Sequence, residues 1–157
     1  MIKPNALPKD FSVVYNRIAG SMPPPAHTEL TIIIQSSGLC SVEYIPDYPS
    51  QDVPVWKESF EAPIDKLESL YQLMIEKGIF TKKFREVKPK DRRIGGGYSW
   101  IDATANNKTV RLGTHLVDED MVAAQAIYDE IRKFVPEAIW DIFSKKREIY
   151  KKEVYNE

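Results

Sequence analysis

Alternating apolar and polar positions mark six short segments of the chain as β-strands, because successive side chains on a strand point to opposite faces. β-Branched and aromatic residues are frequent in these segments, which strengthens the interpretation. Turn-forming residues separate them, most densely over 47–54. The pattern predicts strands over 11–18, 29–35, 39–45, 55–61, 98–104 and 109–116.

The spacing of apolar residues indicates the register of the first predicted hairpin, which turns at residues 36–38. A two-residue loop would set Ile32 against Glu43 and mix apolar with polar side chains on one face. A three-residue loop with Gly38 in the left-handed conformation brings apolar residues together instead. The resulting pairs are Leu30 with Tyr44, Ile32 with Val42 and Ile34 with Cys40. We therefore expect Cys40 to be buried and to behave as a small hydrophobic residue.

A second hairpin is predicted about Asn106 and Asn107, which tolerate the positive φ angles of a tight two-residue turn. Counting outward from this turn gives two sets of facing residues. The pairs on the core side are Ala103 with Val110 and Ile101 with Leu112. The pairs on the other side are Tyr98 with His115, Trp100 with Gly113, Asp102 with Arg111 and Thr104 with Thr109.

Apolar residues recur at helical spacing over 63–77, 118–135 and 136–152. Pro63 suits the first position of the first helix, and Gly78 favours its termination. Asp118 is a good N-cap for the second helix, which has the clearest apolar stripe. Pro136 disfavours helical geometry at the preceding residue and suits the start of the third helix.

The elements together indicate one α+β domain. Strands that come in hairpins with alternating patterns favour an antiparallel sheet, with one face packed against helices and the other more open. The length of 157 residues suits a single domain, and no linker or repeat divides the chain. We expect a two-layer fold over 1–157 with a mostly antiparallel sheet of about six strands and three helices on one face. Residues 1–9 are predicted to form a flexible N-terminal tail.

The composition argues against several functional classes for this chain. The chain is 43% hydrophobic and 29% charged, as is typical of globular proteins. Its formal net charge of −1 creates no overall field that would attract nucleic acid or an anionic membrane. No segment has the apolar length of a membrane span or the pattern of a secretory leader. We expect a cytoplasmic protein with no membrane contact.

Few residues are suited to metal binding or nucleophilic catalysis. Cys40 is the only cysteine, and His27 and His115 are the only histidines. His27 has no second ligand at suitable spacing and is predicted to lie on the surface. No serine lies in a Gly-x-Ser-x-Gly elbow, although a catalytic pair of carboxylates would need no motif. We predict no metal site and no cofactor, identify no catalytic residue, and do not favour an enzyme.

The outer side of the second hairpin is the main candidate surface. It combines the aromatic and charged side chains of Tyr98, Trp100, Asp102, Arg111 and His115. One interpretation is an ordinary ion pair between Asp102 and Arg111, with Trp100 covering the glycine opposite it. A second is a surface for a protein partner or a second copy of the chain, since exposed aromatic patches often mark interfaces. A third is a site where Tyr98 or Trp100 stacks on a planar ligand.

A basic run is the second candidate. Residues 82–93 carry seven basic and two acidic side chains and lead into three glycines. Glycine lets backbone N–H groups approach an anion, so the weak candidates for anion binding are Arg92, Arg93, Gly95, Gly96 and Gly97. The spacing matches neither a phosphate loop nor a dinucleotide fingerprint, and a strand follows rather than a helix. The alternatives are a solvated, mobile loop, contact with an anionic partner or a nucleic-acid backbone, and a phosphate ligand.

The leading hypothesis is a non-enzymatic binding or assembly protein. It would meet a protein partner or its own copy through the outer side of the 98–116 hairpin. The alternative is a protein, enzymes included, that binds a small molecule or phosphate at the glycine-rich loop 92–98. Weak nucleic-acid binding through 82–93 is a third hypothesis and the least favoured.

Overall fold

The computed structural model describes residues 6–92 and 96–156. Its strands are β1 (Ser12–Ile18), β2 (Glu29–Gln35), β3 (Leu39–Ile45), β4 (Trp56–Glu61), β5 (Tyr98–Ala105) and β6 (Lys108–Leu112). Its α-helices are α1 (Ile64–Glu76), α2 (Asp118–Arg132) and α3 (Glu137–Tyr155), and a short 3-10 helix covers Pro89–Asp91. The strands form one antiparallel sheet in the order β4-β3-β2-β1-β5-β6. The predicted α+β architecture is confirmed.

The first strand of the chain lies in the interior of the sheet. It pairs with β2 on one side and with β5 on the other. It therefore joins the two hairpins, which are far apart in the sequence, into a single sheet. This pairing places Asn16 opposite Trp100.

The predicted β2–β3 register is confirmed, and the predicted β5–β6 register is confirmed from the turn as far as Leu112. The β2–β3 pairs are Leu30 with Tyr44, Ile32 with Val42 and Ile34 with Cys40, and the β5–β6 pairs include Ile101 with Leu112 and Ala103 with Val110. Gly38 has a φ of 92°, and a Cβ there would lie 2.9 Å from the carbonyl oxygen of Ala62. Conformation and space therefore both demand glycine at this turn. Asn106 and Asn107 have φ values of 52° and 62°, as a tight two-residue turn requires.

The inner face of the sheet and the helices enclose one continuous apolar core. Aromatic rings connect the two layers at several points. The ring of Tyr15 on β1 lies 5.6 Å from that of Tyr128 on α2, and the ring of Phe11 lies 5.3 Å from that of Tyr71 on α1. Burial of each large side chain is worth roughly 1.5–3 kcal/mol, so apolar packing is the main attachment of the helices. Cys40 lies in this core, as predicted.

The helix starts differ from prediction by one residue. Pro63 and Pro136 are not the first helical residues but the N-caps of α1 and α3, where the backbone is still extended. The N-cap of α2 is Val117, so Asp118 is the first helical residue and not the cap that its side chain suggested. Its carboxylate therefore lies in the first turn, where its negative charge interacts favourably with the helix dipole.

Strand β6 is shorter than the predicted 109–116 and ends at Leu112. The chain leaves the ladder there, because residues 115–117 pair with another segment. The backbone N–H of Val87 donates to the carbonyl of His115 at 2.7 Å, and that of Val117 donates to the carbonyl of Arg85 at 2.9 Å. Within the described ranges, no helix is long and apolar enough to cross a membrane.

Candidate functional site

The outer face of the sheet is open, because the helices pack against the inner face. Residues that point outward from neighbouring strands lie in rows across this face. One row runs from Glu43 through Thr31 and Asn16 to Trp100, each residue lying opposite the next. The row connects Trp100 with residues of three strands that the sequence did not associate with it.

A cleft of about 220 Å³ lies along this row. The four residues of the row line it together with Glu29, Ile18 and Ile45 among others. The hydroxyl of Thr31 donates to the amide oxygen of Asn16 at 3.0 Å. An amide oxygen has two lone pairs, so Asn16 can still accept a hydrogen bond from a bound group.

Trp100 differs from the other two tryptophans. The ring of Trp56 stacks on Tyr44 at 5.7 Å, the ring of Trp140 contacts Phe143 at 6.4 Å, and both residues pack against the core. In the described part of the chain, Trp100 has no aromatic or cation–π contact and does not belong to the core. A half-buried indole on an open sheet face is typical of a binding surface.

Two carboxylates make the cleft acidic. One oxygen of Glu43 lies 3.7 Å from the ammonium of Lys57, a pair in which both side chains are substantially exposed. One oxygen of Glu29 accepts a hydrogen bond from His27 at 2.9 Å. Arg17 also lines the cleft, but its guanidinium donates to a hydroxyl on the inner face. An indole, two carboxylates and an amide form a set that suits a positively charged group.

Comparisons with known proteins add no function to this geometry. No protein family model matches the chain, and no curated protein sequence matches it. The chemistry of its side chains is what marks the cleft as the candidate site.

The predicted outer surface of the second hairpin contains three formed contacts. Arg111 donates to both carboxylate oxygens of Asp102, at 2.7 and 2.9 Å. The rings of Tyr98 and His115 meet edge to face at 5.5 Å. Thr104 and Thr109 share a hydrogen bond of 2.8 Å. Asp102 and Arg111 therefore satisfy each other, and Trp100 is the residue of this surface that is left for a ligand.

The predicted pairing of Trp100 with Gly113 is not present in the β-ladder, because β6 ends at Leu112. The indole lines the cleft over β1 and β2 instead. The interpretation of Trp100 as a cover for the facing glycine is therefore not supported.

The basic run is fixed to the fold over its first part. The ammonium of Lys82 and the backbone N–H of Arg85 each donate to Asp120 at 2.7 Å. These hydrogen bonds hold the pKa of Asp120 at about 2, well below its ordinary value of 3.8. The side chain of Asp120 is fully buried. Residues 82–87 are therefore anchored to the fold through their hydrogen bonds, although most of their side chains are exposed to solvent.

The glycine-rich loop has a packing role in its described part. A Cβ on Gly20 would lie 2.1 Å from the carbonyl oxygen of Gly96, and one on Gly97 would lie 3.1 Å from the guanidinium of Arg17. The side chain of Arg92 donates to the carbonyl of Val87 at 3.0 Å. Gly96 and Gly97 thus allow the loop to lie close to β1 and to the turn at Gly20. The hydrogen bond of Arg92 to Val87 has a structural role. Arg93, Ile94 and Gly95 lie outside the described residues.

His27 is buried, so its predicted surface position is wrong. It is only 2% exposed, and its ring stacks on that of Tyr48 with centroids 3.8 Å apart. One ring nitrogen lies 2.7 Å from the carbonyl oxygen of Gly20 and the other lies 2.9 Å from the carboxylate of Glu29. The ring is thus held between the carbonyl of the loop after β1 and the carboxylate of Glu29. His27 therefore helps to position Glu29, which lines the cleft.

A second buried polar group fixes the end of α3. Asp47 accepts hydrogen bonds from the hydroxyls of Tyr150, at 2.9 Å, and Tyr155, and from the backbone N–H of Tyr48 at 2.7 Å. Burial by itself raises the pKa of Asp47, but these hydrogen bonds outweigh it and lower the pKa. The group ties the C-terminal turns of α3 to the loop after β3.

Metal and nucleophile chemistry receive no support from the described residues. No three His, Cys, Asp or Glu side chains in these ranges are grouped so that they could hold a metal ion. Burial raises the pKa of Cys40, which keeps the thiol protonated and unreactive.

Sequence reasoning missed Asn16, Thr31, Glu29 and Glu43 as cleft residues. Each was predicted correctly as part of a strand, but the strand order that brings them to Trp100 was not predictable. The only available signal was the alternation itself, which places small polar residues at Asn16 and Thr31 on the face opposite the core.

Proposed function

We propose that this protein is a non-enzymatic binding protein that uses the outer face of its sheet to bind a protein partner. The partner places a lysine or arginine side chain in the cleft beside Trp100. The observation that carries the proposal is the row from Trp100 to Glu43, with an indole outside the core at one end and a carboxylate at the other.

The chemistry of the cleft favours a cationic side chain. A cation over an indole gains about 0.5–2 kcal/mol, depending on how much water is removed. A carboxylate such as that of Glu43 adds a charge-assisted hydrogen bond, which is stronger than one between neutral groups. Asn16 and Thr31 supply a small polar floor that leaves room for the incoming group.

The extent of the outer face favours a protein partner. Six strands at roughly 4.8 Å spacing, each roughly 20 Å long, present a face of roughly 600 Å². Stable protein interfaces bury roughly 600–1,000 Å² on each partner, so this face reaches the lower end of that range. The cleft would hold one anchor residue of the partner, as binding hot spots commonly do.

Binding of a defined basic peptide tests the proposal. The probe is a fluorescently labelled Gly-Arg-Gly-Arg-Gly peptide, followed by anisotropy. The wild type should bind, and Trp100→Ala and Glu43→Gln should each weaken binding by at least about fivefold, or ~1 kcal/mol. Glu61→Gln removes a carboxylate elsewhere on the outer face and should leave binding unchanged. Equal binding by Trp100→Ala and the wild type would count against the proposal.

Sedimentation velocity tests whether the occupant of the cleft is a different protein or a second copy of the chain. We expect a monomer over the accessible concentration range, because the cleft is acidic and two acidic clefts repel. A dimer that Trp100→Ala abolishes would identify the second copy as the occupant and would overturn the basic partner.

A further inference from the structure

The edge of β6 carries unpaired backbone groups. β6 lies at one end of the sheet and pairs with β5. Ala105 and Lys108 close a two-residue turn, so they form a hydrogen-bonded pair, and such pairs alternate along an antiparallel ladder. The backbone N–H and C=O groups of Thr109 and Arg111 consequently point away from β5. No other segment in the described ranges forms a ladder with this edge.

A groove of about 680 Å³ runs along the same edge. Segment 82–86 forms its opposite wall. Its apolar lining comes from residues at the border of the core, namely Ile79, Phe84, Val110, Leu112 and Leu116. The pairing of residues 85–87 with 115–117 closes one end. Since β6 has five residues, the groove suits an added strand of about that length.

The side chains that line the groove include four cations, Lys82, Lys83, Arg85 and Arg111, and one carboxylate, Glu86. Buried Asp120 holds Lys82 and Arg85 at the rim, which reduces the entropy that they would lose on binding. Lys83 has no carboxylate partner among the described contacts. Arg111 is already paired with Asp102. The positive charge that complements an acidic segment therefore comes from Lys83 and from the exposed side chains of Lys82 and Arg85.

The same charges disfavour a second copy of the chain at this edge. Two β6 edges placed side by side would bring their basic rims together, and charged edges of this kind prevent self-pairing in natural sheets. An acidic strand has the opposite charge. Strand addition gains affinity from main-chain hydrogen bonds and specificity from the pockets that alternate side chains enter.

We infer that the edge of β6 binds an acidic, extended segment of another protein as an added strand. The segment hydrogen-bonds to the backbone of Thr109 and Arg111. Its apolar side chains, at alternate positions, contact Val110 and the neighbouring apolar lining, and its carboxylates face Lys83. This surface is separate from the cleft at Trp100 and does not depend on the function proposed for that cleft.

A matched pair of substitutions at Thr109 tests the inference. Thr109→Pro removes a backbone N–H on the free edge of β6 and leaves the ladder with β5 intact, whereas Thr109→Ala keeps the N–H. The probe is a labelled six-residue peptide of alternating Val and Glu, followed by anisotropy. The wild type and Thr109→Ala should bind, and Thr109→Pro should bind at least tenfold more weakly. The same peptide with Lys in place of Glu should not bind.

Hydrogen exchange shows whether binding is by strand addition. The Val-Glu peptide should protect the backbone amides of Thr109 and Arg111 from exchange.

Lys83→Glu changes an exposed side chain and provides a second test if Thr109→Pro does not fold. This substitution should also weaken binding at least tenfold. Absence of binding by the wild type, equal binding by the proline and alanine variants, or unprotected amides would overturn the inference. Trp100→Ala should bind this peptide normally, so failure here is distinguishable from failure of the outer-face proposal.

Discussion

Trp100 lies opposite Asn16 on neighbouring strands, and both residues line the cleft on the outer face. The two residues are 84 positions apart in the sequence. The cleft therefore exists because β1 lies between the two hairpins. A change that alters the charge of the cleft without altering this pairing should change ligand binding and leave stability intact.

Removal of Lys57 should strengthen binding of the basic peptide. The ammonium of Lys57 lies 3.7 Å from Glu43 and competes with an incoming cation for that carboxylate. An exposed ion pair of this kind is worth about 0.2–1 kcal/mol, so Lys57→Ala should raise affinity by up to about fivefold. Lys57→Arg keeps the charge and should leave affinity unchanged in the same anisotropy assay. Weaker binding by Lys57→Ala would show that Glu43 does not contact the cation.

Replacement of Asp120 should destabilise the protein strongly. Asp120→Asn removes the negative charge that holds Lys82 and the backbone of Arg85, and it leaves a buried amide with poor partners. The melting temperature should fall by many degrees. Glu119→Gln changes an exposed carboxylate in the same helical turn and should have little effect. Similar melting temperatures for the two variants would contradict this role of Asp120.

The contribution of Asp120 should disappear in acid. Its pKa in the folded state is about 2, below the ordinary value of 3.8. A lowered folded-state pKa stabilises the protein at pH values above the unfolded-state pKa, and the stabilisation is lost as pH falls through the folded-state value. The difference in melting temperature between wild type and Asp120→Asn should therefore be full at neutral pH and shrink between pH 3.8 and about 2. A difference that does not change with pH would exclude the ionised carboxylate as its cause.

Loss of a tyrosine hydroxyl that donates to Asp47 should weaken the attachment of α3. Tyr150→Phe removes a 2.9 Å hydrogen bond to this buried carboxylate and should lower the free energy of unfolding by about 1–2 kcal/mol in urea titrations. The pKa of Asp47 is lowered in the fold, so the loss should be largest at neutral pH and smaller in acid. Tyr98→Phe, on the outer face, serves as the control with little expected change.

Two glycine substitutions distinguish the effect of close packing on stability from the effect of backbone conformation. Gly20 and Gly96 both have positive φ, at 67° and 87°, and a side chain on either costs about 1–2 kcal/mol of backbone strain. A Cβ on Gly20 would also lie 2.1 Å from a backbone oxygen, whereas one on Gly96 would meet nothing within 4 Å. Gly20→Ala should therefore destabilise the protein more than Gly96→Ala in denaturant titrations. An equal effect would contradict the close approach of the loop to Gly20.

The sequence allowed the local structure to be predicted because local rules determine it. Apolar pairing set the register at Ile34 and Cys40, and the conformational freedom of Gly38 set the turn. The helix starts were off by one residue, because Pro63 and Pro136 suit both the cap and the first helical turn. The position of β1 between the hairpins was not predictable, since its pattern fits any interior strand.

The candidate site was only partly predictable for the same reason. Tyr98, Trp100, Asp102, Arg111 and His115 lie on one strand pair and its extension, so counting from the Asn106–Asn107 turn was enough to place them together. Glu43 reaches Trp100 only through the strand order. His27 and Asp120 are buried through contacts with segments distant in sequence, which no local pattern indicates.

The most direct test of the outer-face proposal is an NMR titration that follows the indole N–H of Trp100 and the side-chain NH₂ of Asn16. The ligand is acetyl-Gly-Arg-Gly-amide, and acetyl-Gly-Glu-Gly-amide is its control. Saturable shifts of both signals with the arginine peptide, absent with the glutamate peptide and lost in Glu43→Gln, are the predicted result. Signals that do not move, or that move equally with both peptides, would contradict the proposed cation cleft.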